Sequence, residues 1–245
     1  MYATLTSLKT SLTTAALDLI LPPRCPGCRV IVRQDRQFCP DCWNELAFIT
    51  DPMCATCGLP FEVDAGPESV CGDCAGNVRP YDRARSALRY QGSAVPVLLG
   101  FKHGDRTHLA RLMAEQMARA LPPDGADLIV PVPLDRRRLA KRGYNQAGLL
   151  ARALSRLADI ALGIDALARV KPTQSTAGMS RAGRFRAAQG AFVAQRPLVD
   201  KPHIILVDDV MTTGATVESA SRALRTGGAG RVSVMTYARA LKSDV

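Results

Sequence analysis

All eight cysteines fall between Cys25 and Cys74, and they come as four C-x2-C pairs: Cys25/Cys28, Cys39/Cys42, Cys54/Cys57 and Cys71/Cys74. Two residues of turn let both sulfurs of a pair reach one ion at about 2.3 Å, and a tetrahedral zinc site takes two such pairs. Four pairs therefore make two sites. The first two pairs map onto the second two with a shift of 29 residues for the leading pair and 32 for the trailing pair. That internal repeat favours tandem ribbons, with Cys25, Cys28, Cys39 and Cys42 around one zinc and Cys54, Cys57, Cys71 and Cys74 around the other. A cross-braced pairing stays open on spacing alone. Sulfur fills all four positions of each ion and leaves none for a water, so both ions read as structural. A disulfide framework is the competing reading. The first twenty residues lack a basic stretch followed by a continuous apolar run, so no export signal argues for an oxidising compartment, and a cytoplasmic location is expected.

The cysteines also divide the chain. Its 245 residues make at most two domains, and the boundary is expected near Arg79: residues 1–79 carry the ribbons, residues 80–245 a second domain with its own core. Charge changes at the same place. Residues 1–79 hold 6 Lys/Arg against 9 Asp/Glu, and residues 80–245 hold 26 against 13. A basic second domain suits an anionic partner, either a phosphorylated small molecule or nucleic acid. So short a ribbon segment can barely bury a core, and zinc is expected to supply folding energy on the order of 10 kcal/mol per site. Ahead of the ribbons, Leu5, Leu8, Leu12, Ala15, Ala16 and Leu19 recur at helical spacing, a docking face that ends at Pro22-Pro23. No run reaches the roughly 18 apolar residues of a membrane span.

Beyond residue 80, short apolar runs alternate with amphipathic stretches, the pattern of an α/β fold with a parallel sheet flanked by helices. Ala84–Tyr90, Asp127–Val132, His203–Val207 and Arg231–Tyr237 are the candidate strands. Helical stripes run through Leu109, Leu112, Met113 and Met117, through Leu149 to Leu157, and through Val217, Ala220 and Leu224.

The third candidate strand ends in Asp208-Asp209, followed by Thr212, Thr213, Gly214, Ala215 and Thr216 and then a helix. Ligands of doubly wound sheets bind at the carboxyl ends of strands. A loop of small and hydroxyl residues opening a helix cradles a phosphate on backbone N–H groups. Two carboxylates would repel that phosphate at contact, so they belong one sugar away, accepting from ribose hydroxyls directly or through Mg²⁺. The element suits a 5-phosphoribosyl group. Neither a Walker A loop nor a G-x-S-x-G elbow occurs.

This ILVDDVMTTGAT element closely resembles the motif with which type I phosphoribosyltransferases bind 5-phosphoribosyl 1-pyrophosphate (PRPP). Leu128 to Leu134, containing Val132 and Pro133, is followed by Arg136, Arg137, Arg138, Lys141, Arg142, Gly143, Tyr144, Asn145 and Gln146. It is similar to the pyrophosphate-side loop in its ComF-family form. Thr173-Gln174-Ser175, Arg181, Arg184 and Gly190-Ala191-Phe192 resemble that family's flexible loop. With the paired C-x2-C motifs and Lys102 in Phe-Lys-His-Gly, the resemblance to ComF proteins, linked to natural competence and DNA uptake, covers nearly the whole chain. One departure is Ala187, where relatives often carry Asn.

The resemblance implies a type I phosphoribosyltransferase-like domain behind a small zinc-ribbon domain, binding PRPP with magnesium at Asp208, Asp209 and Thr212 to Thr216. Lys102, Val132, Pro133 and Arg142 would face pyrophosphate. Arg136, Arg137, Arg138, Lys141, Arg181, Arg184 and Arg186 form an expected single-stranded DNA surface, carried on loops near the strand ends. DNA-uptake or recombination proteins are the expected protein partners. No catalytic residue is assigned. Only eight residues follow Tyr237, too few for a C-terminal hood over a base, and nothing in the ribbon supplies an aromatic stacking pair to replace one. Three functions are therefore weighed: a DNA-uptake factor that binds PRPP or DNA phosphates, an active phosphoribosyltransferase with an unidentified acceptor, and a non-catalytic scaffold.

Overall fold

A computed structural model describes residues 21–172 and 179–241, the Arg181 side chain excepted. The N-terminal stripe from Leu5 to Leu19 and the segment Thr173-Gln174-Ser175 lie outside the described residues. Two five-residue helices come first, α1 (Pro40–Asn44) and α2 (Gly72–Gly76). The second part runs β1 (Arg83–Arg89), α3 (Ala94–His103), α4 (Leu109–Met117), β2 (Leu128–Pro131), α5 (Arg136–Arg142), α6 (Gln146–Ala158), β3 (Ala161–Leu162) and β4 (Leu167–Arg169). It continues with α7 (Arg181–Ala188), β5 (Phe192–Ala194), β6 (His203–Met211), α8 (Ala215–Thr226) and β7 (Arg231–Arg239).

Five strands form one parallel sheet in the order β1-β7-β6-β2-β3. All four strands expected from sequence are there. Side-chain alternation sorts them onto two buried faces. Ile205, Val207, Met235, Tyr237 and Ile129 point to the face covered by α3, α4 and α6, where Phe101, Met113, Leu150 and Leu154 are fully buried. Ile204, Leu206, Val232, Val234 and Val130 point to the other face, covered by Val217, Ala220 and Leu224 of α8 and by the antiparallel β4–β5 pair.

The chain leaves β2 through α6 towards β3 at one edge, and leaves β6 through α8 towards β7 on the other side. Neighbouring strands whose connections diverge in this way open a crevice at their carboxyl ends, the usual ligand position in an open α/β sheet.

The ribbon half is built twice from the same parts. Cys25 N–H donates to Val30 O at 2.8 Å and Cys54 N–H to Leu59 O at 2.8 Å. Val32 N–H and Phe61 N–H close the same turns on Pro23 O and Pro52 O, each at 2.9 Å. Cys39 and Cys71 each cap a short helix that carries the fourth cysteine. The repeat read from cysteine spacing is thus a repeat of backbone hydrogen bonds.

Two expectations need correction. Separate cores were expected on either side of Arg79. Instead Cys25, Phe38, Cys39, Cys42 and Leu46 lie in one apolar cluster with Leu88, Val97, Leu98 and Phe101. The ribbon, too small to cover its own apolar side, completes the sheet's helical layer. Backbone bonds from Ile49 N–H to Ala87 O (3.0 Å), Arg89 N–H to Ala47 O (2.8 Å) and Ala84 N–H to Thr56 O (2.7 Å) fasten it along β1. The second correction concerns the basic segments expected as loops. Residues 136–142 are helix α5, because Asp135 accepts from Arg137 N and Arg138 N, each at 3.1 Å, and Gly143 at φ 77° ends the turn. Residues 181–188 are helix α7, capped by the Ser180 hydroxyl.

Candidate functional site

A cavity of about 270 Å³ sits in the crevice between β2 and β6. Asp208 and Asp209 line it from the carboxyl-terminal part of β6, which runs on to Met211 rather than stopping at Val207. Thr212, Thr213, Ala215 and Thr216 line it from the following loop and the start of α8. Gly214 makes this turn possible. Its φ of +84° suits a residue without a side chain, and a Cβ there would stand 3.2 Å from Met211 Cε. The N–H groups of residues 215–217 come before the first helical bond of α8, from Glu218 N–H to Gly214 O, which is the arrangement that holds an anion.

Opposite the carboxylates stand Lys102, Arg138, Arg142, Arg169 and Arg184, with Val132 and Pro133 forming the wall at the end of β2. Lys102 Nζ pairs with Asp209 Oδ1 at 3.0 Å. The Tyr144-Asn145-Gln146 segment explains its aim. Tyr144 O–H donates to Phe101 O at 2.8 Å, Gln146 Nε2 donates to Lys102 O at 3.4 Å, and Asn145 Nδ2 donates to Val132 O at 3.1 Å. Three consecutive side chains therefore lash the end of α3 to the end of β2. Arg142 in turn donates to Gln146 Oε1 at 3.2 Å.

Asp208 accepts from Asp209 N at 2.9 Å. Burial, and then the charge of Asp209, push its carboxyl up to about 7, against the pull of that N–H, Lys102 and Arg169. A carboxyl so raised is under tension that a bound cation or ribose hydroxyls relieve.

Every described residue expected at the phosphoribosyl and pyrophosphate positions lines this cavity except Gly214, which shapes its loop. The basic residues assigned to DNA divide. Arg138 and Arg184 turn into the cavity. Arg136, Arg137 and Lys141 are exposed on α5, and Arg186 lines a separate groove between α7 and α8. Ala187 lines the cavity wall with a methyl group where an amide was expected in relatives. Arg169 was not anticipated. It comes from the three-residue strand β4, with its guanidinium 5.0 Å from the Phe192 ring centroid, and no local spacing announces it.

The cysteines fall into two tetrads, Cys25/Cys28/Cys39/Cys42 and Cys54/Cys57/Cys71/Cys74, with all sulfurs of each set within 4.8 Å of one another. This settles the pairing as tandem. A tetrahedron with Zn–S bonds of about 2.3 Å has edges of about 3.8 Å. Cys28–Cys39 at 3.6 Å and Cys57–Cys71 at 3.7 Å fit that edge. Backbone N–H groups also point at sulfur: Cys39 N to Cys25 Sγ at 3.4 Å, Cys57 N to Cys54 Sγ at 3.4 Å, and Cys71 N to Cys54 Sγ at 3.3 Å. Burial opposes ionisation of Cys25, but the backbone bonds outweigh it and bring the thiol down to about 6. Donor set, spacing and the backbone N–H groups aimed at sulfur all fit two structural zinc ions.

Fold and site together define a phosphoribosyltransferase-type domain carrying a double zinc ribbon. Residues 16–80 match the double zinc ribbon domain, and residues 139–244 match the phosphoribosyl transferase domain. The chain is 32% identical to DNA utilization protein YhgH of Escherichia coli K12 over 196 residues, 77% of this chain and 85% of that one. It is 30% identical to competence protein F of Haemophilus influenzae over 227 residues, 89% of this chain and 97% of the relative. Competence protein ComFC of Bacillus subtilis is 29% identical over 85% of this chain and 87% of its own length. The chain belongs to the ComF family. Among the described residues, no helix is long and apolar enough to cross a membrane.

Proposed function

We propose that this protein serves DNA uptake in natural transformation, that its cavity between β2 and β6 binds PRPP with magnesium, and that its basic helices hold single-stranded DNA. The observation that carries the reading is the cavity itself: a carboxylate pair at a strand end, a small-residue turn into α8 beside it, and five cations facing both. A phosphate on the α8 turn would put ribose over Asp208 and Asp209 and the pyrophosphate among Lys102, Arg138, Arg142, Arg169 and Arg184. Magnesium would neutralise pyrophosphate charge and relieve the repulsion between the two carboxylates. The resemblance to competence protein F and ComFC supports the uptake role. Arg136, Arg137 and Lys141, exposed together on α5 at the cavity's rim, are the cations free to meet nucleic-acid phosphates. DNA-uptake and recombination proteins remain the proposed protein partners, the boundary near Arg79 the proposed limit of the ribbon, and the cytoplasm the proposed location.

The cavity also favours a second reading, an active phosphoribosyltransferase, since the cations are placed where departing pyrophosphate charge would develop. One experiment tests both. Calorimetric titration of Mg-PRPP into the zinc-loaded protein should show saturable binding, lost in the Asp208→Asn/Asp209→Asn double variant. Mass-spectrometric detection of pyrophosphate, with and without single-stranded DNA and cell extract, then separates transfer from binding. No heat of binding in the parent protein sinks the PRPP reading.

A further inference from the structure

Two buried arginines connect the second cysteine tetrad to the proposed phosphate loop. Arg79, whose side chain is 7% exposed, pairs through one guanidinium nitrogen with Asp73, which lies between Cys71 and Cys74, and through the other with Glu218 Oε1 at 2.5 Å. Glu218 lies in the first turn of α8, and its N–H closes that turn on Gly214 O at 2.9 Å. Arg239, from the end of β7, donates to Cys57 O at 2.5 Å, and its Nη2 reaches Cys57 Sγ at 3.7 Å. Its Nη1 also lies 3.5 Å from the sulfur of Met211, the residue that ends β6 and starts the loop. The two arginines thus hold both shoulders of the loop, Met211 before it and Glu218 after it.

Charge explains why both are needed. Four thiolates around one Zn²⁺ leave a net charge of about −2, which the Arg239 guanidinium at Cys57 Sγ and the Arg79 guanidinium held between Asp73 and Glu218 offset. Metal fixes the positions of Cys57, Cys71 and Cys74, and with them the Asp73 and Cys57 ends of the two guanidinium bridges. A cavity of about 440 Å³, lined by Cys57, Leu59, Tyr81, Met211, Thr213 and Glu218, separates the ribbon from the loop. Packing is thin there, so the guanidinium bridges carry much of the connection. The first tetrad's neighbours lie elsewhere: Ser93 stands beside Cys42, and Arg106 donates to Pro26 O at 3.0 Å.

We propose that Arg79 and Arg239 are positioning residues that make the second zinc site and the phosphate loop one coupled unit, so that metal at the second tetrad holds the loop in its anion-binding form. The ligand part of this statement rests on the PRPP reading; the coupling does not. The test uses the full zinc-loaded chain and its Arg79→Met and Glu218→Gln variants, which break the bridge at its centre and at its loop end. Hydrogen exchange of backbone amides 211–219 should speed up about tenfold or more in each, while amides of β2 and α6 stay unchanged. With Co²⁺ in the second tetrad, adding Mg-PRPP should shift the thiolate charge-transfer band of the parent and leave that of Glu218→Gln unmoved. Unchanged exchange at 211–219 in both variants overturns the coupling. A parent that shows the exchange effect but no cobalt response and no PRPP heat keeps the coupling and sinks the ligand reading instead.

Discussion

Lys102, in the last turn of α3, and Asp209, at the end of β6, meet at 3.0 Å and bring a cation from one face of the sheet to the carboxylates at its rim. The carbonyls of Phe101 and Lys102, on the same turn, are pinned by Tyr144 and Gln146.

Removing the Tyr144 hydroxyl tests that pinning. Tyr144→Phe leaves the ring against Phe101 and deletes one hydrogen bond, a loss of about 1 kcal/mol in stability. It should weaken Mg-PRPP binding several-fold, and Lys102→Met should weaken it about tenfold or more, both read by calorimetry. Equal affinity in parent and Lys102→Met would remove Lys102 from the site.

Asp208 predicts a pH signature. Its folded carboxyl keeps a proton up to about pH 7, whereas an unfolded Asp releases it near pH 4. Between those values the folded chain binds the extra proton, so this group's contribution to stability falls as pH rises from about 4 to 7, and the full cost is present above 7. Asp208→Asn removes the cost. Without magnesium, the variant should melt above the parent at pH 8, by roughly 2–4 °C for each kcal/mol relieved, and the gap should close towards pH 4.5. Scanning calorimetry at the two pH values checks it. A variant that gains stability while losing PRPP affinity marks a residue kept for binding.

Metal analysis should give two zinc ions per chain. Because Cys39 packs in the same cluster as Leu88 and Phe101, Cys39→Ser should destabilise ribbon and sheet together, by several kcal/mol. Far-ultraviolet circular dichroism and zinc release should then follow one transition. Two well-separated transitions would restore independent cores.

Replacing Arg136, Arg137 and Arg138 by Ala should weaken single-stranded DNA binding uniformly across sequences. It should flatten the dependence of log affinity on log salt by up to about 2, at roughly 0.7 per phosphate contact. With few aromatics near α5, little sequence preference is expected. Because Arg138 also lines the cavity and pairs with Asp135 at 3.7 Å, the Arg136→Ala/Arg137→Ala pair separates DNA binding from PRPP binding. In a transformable host the triple change should lower uptake. Absence of any complex at low salt ends the DNA reading.

The zinc tetrads and the Asp208 to Thr216 loop were legible in the sequence because each is a local device, set by spacing within a few turns of chain. Of the four main strands, β2 and β6 open with unbroken apolar runs, Leu128 to Val130 and Ile204 to Val207, and were legible for that reason. Helix α5 was hidden by its arginines, although Asp135 and Gly143 are the start and stop signals that flank it. Arg169 was hidden because it reaches the cavity from a short strand far along the chain. The shared core was hidden for a different reason: cysteines count as metal ligands in a sequence, and only packing shows that Cys25, Cys39 and Cys42 also serve as apolar surface.

The backbone bonds from residues 47, 49 and 56 to β1 give zinc loss an outcome beyond unfolding of the ribbon. They shield the lateral margin of the sheet, where unpaired N–H and C=O groups would otherwise template the strand of another molecule. At the far margin, β3 is only two residues long and offers little to recruit. A zinc-starved protein would therefore expose one adhesive margin, formed by a strand whose Ala84, Ala87 and Leu88 are apolar. It would leave the soluble pool by self-association rather than persist as an inactive monomer.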